Sequence, residues 1–340
     1  MKKFAVALGA AGILLVGGCA AGPSSNHGVT IAASFYPLQY VAEQVAGDNA
    51  TVIGLAPPGV EPHDLELSPM AVREVSSADL VLYLSGLQPA VEDAIASTNA
   101  TSFDAASVVT LRPADPNSQE STGVHDPHFW LDPTLLATYA TAVGKQLATV
   151  DPAHADSYTA NATALVAKLT ALDEDFSTGL AQCKRTDIVT SHEAFGYLAA
   201  RYGLTQIGIA GIDPEAEPSP ARLLEIRKVV EQTGTTTIFT ESLINTAVAD
   251  SIAKDAGAKT AVLDPIESVL HGDDYASVMT RNLLVSPITV HPGTIHRTGL
   301  KVPSERAALP APRNRSHPKR GAQVKLRALP GGNSPAGRTN

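Results

Sequence analysis

The chain has 340 residues, of which 44% are hydrophobic and 17% are charged, and its formal net charge is −9. These values are typical of a folded globular protein and argue against a disordered or fibrous one. The charge is unevenly distributed, because residues 285–340 hold ten of the 25 basic residues and one of the 34 acidic residues. Residues 19–284 carry 13 basic and 33 acidic side chains, a net charge near −20. Nucleic acid is therefore excluded as an expected partner of this part of the chain.

The N-terminal segment predicts export. Lys2 and Lys3 precede an apolar run of 15 residues that stops at Cys19, which is shorter than the ~20 residues that a membrane-spanning helix needs. Residues 1–18 are therefore expected to be a signal peptide. The sequence VGGC resembles a bacterial lipobox, in which Cys19 is the lipid-modified first residue of the mature protein and residues 19–28 form a flexible linker. An ordinary signal peptide that ends near a cysteine is the alternative.

Apolar runs alternate with helix-like segments along the rest of the chain, which predicts parallel sheets covered by helices. The predicted strands are 29–35, 50–55, 79–85 and 106–111 in the first half and 187–191, 205–210, 235–240 and 259–264 in the second. We therefore expect an α/β fold of two lobes, residues 29–150 and 183–284. Residues 151–182 contain no Pro after Pro152 and no Gly before Gly179, so they are expected to form one long rigid connecting helix.

Four polar side chains follow predicted strands. His63 lies after the second strand and His128 lies in the loop HDPHFWLDP, whereas His192 directly follows a strand and Asp264 ends one. Ligands of open α/β sheets bind beyond the carboxyl ends of the strands. Three imidazoles and one carboxylate from separate loops would suit a compact tetrahedral zinc site.

Each of these residues has an alternative role. His63 is in a position to cap the helix that begins near Pro69, and His125 competes with its neighbour His128 as the metal ligand. Glu193, beside His192, is a candidate base for a bound water molecule. His192 is alternatively a strand-end histidine bonded to the backbone. Asp264, directly before Pro265, is alternatively a plain turn residue, and Glu241, which closes the strand before it, competes with it as the fourth ligand.

Longer motifs carry a family resemblance. The segments LAPPGVEPHDLELSP, HDPHFWLDP, VTSHEAFGYLAARYGL, GIAGIDPEAEPSPARLLEI and FTESL followed by AVLDPIES are similar, in order, to motifs of the zinc and manganese substrate-binding lipoproteins of bacterial ABC importers (cluster A-I, zinc-uptake type). The resemblance implies two α/β lobes joined by a rigid helix, with the metal clamped between them. By position it makes His63, His128, His192 and Asp264 the ligands and places Glu241 near the site.

The resemblance also implies the cargo and the partners. Three neutral nitrogens and one carboxylate favour Zn²⁺, with Mn²⁺ as the alternative, and manganese members usually carry Glu where this chain has His192. The expected function is high-affinity capture of Zn²⁺ and its delivery to an ABC permease and ATPase. We expect a monomer, held by its lipid at the outer face of the cell membrane, on the periplasmic or cell-wall side.

Two further functions remain as alternatives. A zinc hydrolase needs an open coordination position, which Asp264 is expected to fill, and the chain has no HExxH motif, so no enzyme is expected. A surface adhesin is a role also given to members of this family, but the sequence contains no adhesive repeat.

The C-terminal end departs from the family pattern. From Val285 the chain is basic, rich in proline and without periodicity, so residues 285–340 are expected to be a disordered tail. Cys183 would lack a partner once Cys19 is lipidated, whereas relatives with this cysteine often have a second one near the C-terminus. An altered reading frame after about Leu284 explains both features, and a native basic tail that contacts anionic lipid is the alternative.

Overall fold

The computed structural model describes residues 28–114, 125–181, 183, 185–269 and 272–285, all within one compact unit. The predicted signal peptide, Cys19 and its lipid, almost all of the linker and nearly the whole predicted tail lie outside the described residues. Among the helices of the described part, none combines the length and the apolar character needed to cross a membrane.

A parallel sheet organises the first half of the chain. In chain order the elements are β1 (Val29–Ala33), α1 (Tyr36–Ala46), β2 (Ala50–Gly54), α2 (Pro69–Ser77), β3 (Leu80–Tyr83), α3 (Pro89–Thr98) and β4 (Ser102–Asp104). The four strands lie in the spatial order β2-β1-β3-β4. Both faces of the sheet are covered, because Ile31 and Ala33 of β1 belong to one buried cluster and Ala32 to another.

A short ribbon and two long helices follow. The antiparallel ribbon pairs β5 (Arg112–Pro113) with β6 (His125–Asp126). Next come α4 (Pro133–Val150), capped by the side chain of Asp132, and α5 (Ala155–Leu180). At 1.5 Å per residue, the 26 residues of α5 span about 39 Å.

A second parallel sheet organises the second half of the chain. Its elements are β7 (Asp187–Thr190), α6 (Gly196–Tyr202), β8 (Thr205–Gly208), α7 (Pro220–Thr233), β9 (Thr237–Thr240), α8 (Ala247–Ala256), β10 (Lys259–Val262) and α9 (Tyr275–Val285). The strands lie in the spatial order β10-β9-β7-β8. Helix α5 packs against α1 and α4 of the first half and against α6 and α9 of the second. It buries one apolar stripe, with Leu165, Leu169 and Leu172 almost wholly enclosed, as expected of an amphipathic helix.

The α/β class, the two parallel sheets and their flanking helices confirm the predicted fold. The predicted fourth strand, 106–111, is wrong. The strand is Ser102–Asp104, and a 3₁₀ turn, Ala105–Ser107, follows it. Asp104 ends the strand because its carboxylate accepts the backbone N–H of Ala106 at 2.9 Å, a local bond that competes with strand pairing.

Candidate metal centre

Three histidines and one glutamate converge at the edge where the strands of both sheets end. The Nε2 atoms of His63 and His192 lie 3.3 and 3.4 Å from Nε2 of His128. Glu267 Oε1 lies 2.9 Å from Nε2 of His128, 3.3 Å from that of His63 and 3.6 Å from that of His192. One donor atom from each of the four residues lies within 4.8 Å of every other.

Each donor arrives from a different connection. His63 follows β2, and His128 sits at the start of the 3₁₀ turn Phe129–Leu131 that leads into α4. His192 lies two residues after β7, and Glu267 lies five residues after β10. Because the carboxyl ends of parallel strands form the crevice of an open α/β sheet, these loops bring residues distant in sequence to one point.

Carboxylates fix the orientation of two of the imidazoles. Asp126 Oδ1 lies 2.8 Å from Nδ1 of His128, and Glu241 Oε1 lies 2.7 Å from Nδ1 of His192. An imidazole whose Nδ1–H donates to a carboxylate presents the lone pair of Nε2 to a metal. Both rings therefore have their coordinating nitrogens directed at the shared point.

His63 is held differently. Its backbone N–H donates to the carboxylate of Glu61 at 2.9 Å, and burial raises the pKa of that carboxyl. The side chain of His63 is 10% exposed, whereas those of His128 and His192 are wholly buried. His63 is therefore the most exposed of the four donor residues.

The cluster is strongly coupled electrostatically. Burial disfavours a charge on Glu267, but hydrogen bonds from His128, His192 and His63 outweigh it and hold the pKa of Glu267 well below its usual value. Burial likewise opposes protonation of His192, yet Glu241 and Glu267 raise the pKa of His192 well above 6.5. Asp126 and Glu267 raise the pKa of His128 in the same way.

The distances between the donor atoms fit tetrahedral coordination of a metal ion. With metal–ligand distances of about 2.0–2.1 Å, adjacent ligand atoms of a tetrahedral zinc site lie about 3.3–3.4 Å apart. Five of the six separations between donor atoms, 2.9–3.6 Å, bracket that value, and the sixth, between His63 and His192, lies within 4.8 Å. Three nitrogens and one oxygen form a donor set that suits Zn²⁺.

Comparison with known proteins identifies the family of the chain. The family described as zinc-uptake complex component A, periplasmic (ZnuA), matches residues 31–285. The chain belongs to the ZnuA family.

Two ZnuA-family relatives illustrate the match. The chain is similar to the zinc-binding lipoprotein AdcA of Streptococcus pneumoniae, with 34% identity over 303 residues that cover 83% of this chain and 60% of AdcA. It is 31% identical over 299 residues to the high-affinity zinc uptake system protein ZnuA of Bacillus subtilis, which covers 81% of this chain and 93% of that protein. The chain thus spans less than two thirds of AdcA and nearly all of the Bacillus protein.

A solved structure shares the fold. The laminin-binding protein Lmb of Streptococcus agalactiae, described as bifunctional with adhesin and metal-transporting activity, matches with a TM-score of 0.69 and 35% identity. The match covers 76% of this chain and 98% of Lmb.

Of the predicted ligands in this ZnuA-family chain, the structure brings His63, His128 and His192 together and leaves Asp264 out of the group. Asp264 instead accepts the backbone N–H of Ile266 at 2.8 Å and the hydroxyl of Ser242 at 3.1 Å. Glu267, which the sequence reasoning missed, occupies the fourth position. The only signal for it was a second carboxylate three residues further along the same AVLDPIES loop.

The remaining candidates take other places. His125 is exposed and pairs in the ribbon, outside the cluster. Glu193 is buried, with an oxygen 3.6 Å from Arg222. Glu241 lies beside the site, as expected, in contact with His192. The proposed capping role of His63 is wrong, because the Ser68 side chain accepts the N–H of Ala71 and caps α2.

Proposed function

We propose that this chain captures Zn²⁺ outside the cytoplasm through His63, His128, His192 and Glu267 and delivers it to an ABC permease and its ATPase. The observation that carries the proposal is the convergence of three imidazole nitrogens and a buried carboxylate on one point. The similarity to a zinc-binding lipoprotein, AdcA, and to a high-affinity zinc uptake system protein, the Bacillus ZnuA, supports the same cargo and the same partner class.

Zinc is favoured over manganese by the donor set. Mn²⁺ prefers oxygen ligands and binds N/O/S sites more weakly than Zn²⁺ in the Irving–Williams order. Three of the four proposed donors are nitrogens, and Asp126 and Glu241 make two of those imidazoles more basic. Mn²⁺ is therefore expected to bind this site, but to be displaced by Zn²⁺.

A carrier is favoured over a zinc hydrolase. Catalytic zinc sites keep one position open for water, whereas structural and binding sites have four protein ligands. Glu267 supplies the fourth donor here. The adhesin role, which the description of Lmb includes, has no separate feature among the described residues of this chain that favours it.

We further propose that the lipid on Cys19 tethers the carrier, as a monomer, to the outer face of the membrane. A tether raises the local concentration of loaded carrier beside its permease without any new contact. Cys19→Ala should then release the protein from the membrane fraction and leave its zinc affinity unchanged. A Cys19→Ala protein that stays in the membrane fraction would show that another feature provides the attachment.

The test of the cargo is metal content and competition. Protein purified without added metal is analysed by elemental mass spectrometry, then stripped and titrated with Zn²⁺ and Mn²⁺ against a chelating dye. One Zn²⁺ per chain, with Mn²⁺ displaced by Zn²⁺, is expected. The absorption spectrum of the Co²⁺ form should show intense tetrahedral bands. Retention of Mn²⁺ against Zn²⁺, or a weak octahedral spectrum, would contradict the proposal.

A further inference from the structure

The buried carboxylate of Asp126 contacts the ligand His128 and also lies against helix α6. It is 4% exposed and lies on β6 of the ribbon, opposite Arg112. Its Oδ1 accepts both the backbone N–H of His128, at 3.0 Å, and the Nδ1–H of the same residue, at 2.8 Å. One carboxylate oxygen thus fixes the backbone and the ring of His128 together.

The other oxygen of Asp126 faces helix α6 of the second half. Gly196 is the first residue of α6 and lies four residues after His192. A Cβ atom at Gly196 would lie 2.7 Å from Asp126 Oδ2, closer than real Cβ contacts allow. Its φ is not positive, so the backbone itself does not require glycine. Position 196 therefore favours glycine because the Asp126 carboxylate occupies the space that a side chain would need.

Tyr197 joins the same two elements through backbone groups. Its hydroxyl donates to the carbonyl oxygen of Asp126 at 2.8 Å and accepts the N–H of Arg112 at 2.7 Å. One side chain of α6 therefore bonds to both strands of the ribbon. The segment that carries His128 and the helix that follows His192 form one packed unit.

We propose that Asp126 is a positioning residue shared by both lobes, which presents Nε2 of His128 to the cargo and, through the space left by Gly196, sets the approach of the His192 segment. This inference rests on the proposed zinc-carrier function and deepens it. The position of the two histidines relative to each other is then governed by one carboxylate that never touches the metal.

Substitutions at Asp126 test the first half of the proposal. Asn keeps an oxygen that accepts the Nδ1–H but loses the charge, whereas Ala loses both. Since removal of such an outer partner typically costs about 10–100-fold in metal affinity, Asp126→Asn should weaken Zn²⁺ binding about 10-fold and Asp126→Ala about 100-fold. In ¹⁵N NMR spectra of the metal-free protein, recorded at a pH at which the His128 ring is neutral, Asp126→Ala should also lose the Nδ1–H tautomer of His128, and Asp126→Asn should retain it.

Asp132 provides the matched control. It is also a buried carboxylate of the HDPHFWLDP loop, but it caps α4 through the N–H of Thr134 at 2.8 Å. Asp132→Asn should therefore lower the melting temperature without changing zinc affinity or the His128 tautomer. Asp126 has no specific positioning role if Asp132→Asn lowers zinc affinity as much as Asp126→Asn does. The same conclusion follows if Asp126→Asn binds Zn²⁺ like the wild type and Asp126→Ala keeps the Nδ1–H tautomer of His128.

A double-mutant cycle tests the second half. Gly196→Ala should weaken zinc binding in the wild-type background, because its Cβ displaces the Asp126 carboxylate. In the Asp126→Ala background that conflict is gone, so Gly196→Ala should then have little further effect, and the two losses should not add. Equal losses of zinc affinity in both backgrounds, or no loss in the wild-type background, would overturn the shared role.

If Gly196→Ala does not fold, folding of the Asp126→Ala/Gly196→Ala protein would support the steric conflict between the added Cβ at position 196 and the Asp126 carboxylate. Failure of both proteins to fold would contradict it. A wild-type protein that binds no zinc would refute the proposed function instead.

Discussion

The indole N–H of Trp130 donates a hydrogen bond of 2.7 Å to the backbone carbonyl oxygen of Pro265. Trp130, the one tryptophan of the chain, is fully buried and follows His128 by two residues, whereas Pro265 precedes Glu267 by two. The carbonyl oxygen of Trp130 also accepts the Tyr275 hydroxyl at 2.5 Å. The loop of His128 and the loop of Glu267 are therefore joined next to the metal centre.

Removing that bond should loosen the site without removing a ligand. Trp130→Phe keeps an aromatic ring but leaves the Pro265 carbonyl oxygen buried without the indole donor, which typically costs about 1–3 kcal/mol. We expect a lower melting temperature in calorimetry and a modest loss of zinc affinity in dye competition. Tyr139→Phe is the control, because the buried Tyr139 hydroxyl has no hydrogen-bond partner among the described residues. If Trp130→Phe is as harmless as Tyr139→Phe, the Trp130–Pro265 bond does not hold the loops together.

Glu267 and Asp264 should differ sharply in their effect on zinc. Glu267→Ala removes a proposed ligand and leaves three imidazoles, so its cost should exceed the about 10–100-fold typical of an outer partner. Asp264→Ala removes a bond to Ile266 N–H and one to Ser242, so it should mainly lower stability. Isothermal titration of both variants decides between the two carboxylates. A larger affinity loss in Asp264→Ala would return the fourth position to Asp264.

The histidines were predictable from the sequence because their motifs resemble those of the family, and because strand ends mark a sheet edge, as for His192, which follows its strand within two residues. Glu267 was not predictable by that reasoning, because the loop turns before it reaches the site. Ile266 has φ of 61°, a left-handed conformation that a β-branched residue rarely adopts, and Asp264 holds its N–H. Strained residues of this kind cluster at functional sites. A strand-end rule therefore stops at Asp264, three residues too early.

The parallel sheets were predictable for a similar reason, since runs such as DIVT and TIFT are short, apolar and β-branched. The fourth strand was missed because its three residues, Ser102–Asp104, show too little periodicity. The apolar run 106–111 resembles a strand in sequence, but Val109 lies in a loop and is nevertheless buried in the core. An apolar, buried residue therefore does not by itself distinguish a strand from a loop.

The pH dependence of stability should reverse when zinc binds. In the metal-free protein, the raised pKa values of His128 and His192 stabilise the fold fully below the unfolded histidine value of about 6.5 and lose that effect as pH rises through the folded values. The lowered pKa of Glu267 stabilises above about 4.5 and is lost as pH falls through its folded value. The cluster therefore stabilises the metal-free fold most between those two limits.

Zinc requires deprotonated imidazoles, so its affinity should increase as pH rises past the raised histidine values. Differential scanning fluorimetry of metal-free and zinc-loaded protein should show a zinc-induced rise in melting temperature that grows from about pH 5 to about pH 8. His154→Ala is a suitable control, since His154 contacts Asp151 directly before α5 and is not part of the cluster. A zinc effect that is independent of pH would mean that these imidazoles are not the ligands.

A chain that ends at Val285 should still bind one Zn²⁺. The family match ends at residue 285, and the four proposed donors lie before it. Within the described residues, α9 packs against α5 and β10 and buries Met279 and Leu283, so its removal would destabilise the fold. No described contact of the metal-ligand cluster lies beyond α9. Cys183 forms no disulfide among the described residues, so Cys183→Ser should leave the affinity of the shortened chain unchanged. Equal zinc stoichiometry and affinity for the full and shortened chains are expected in calorimetry. Loss of zinc on shortening would place a necessary part of the fold, or a ligand, beyond Val285.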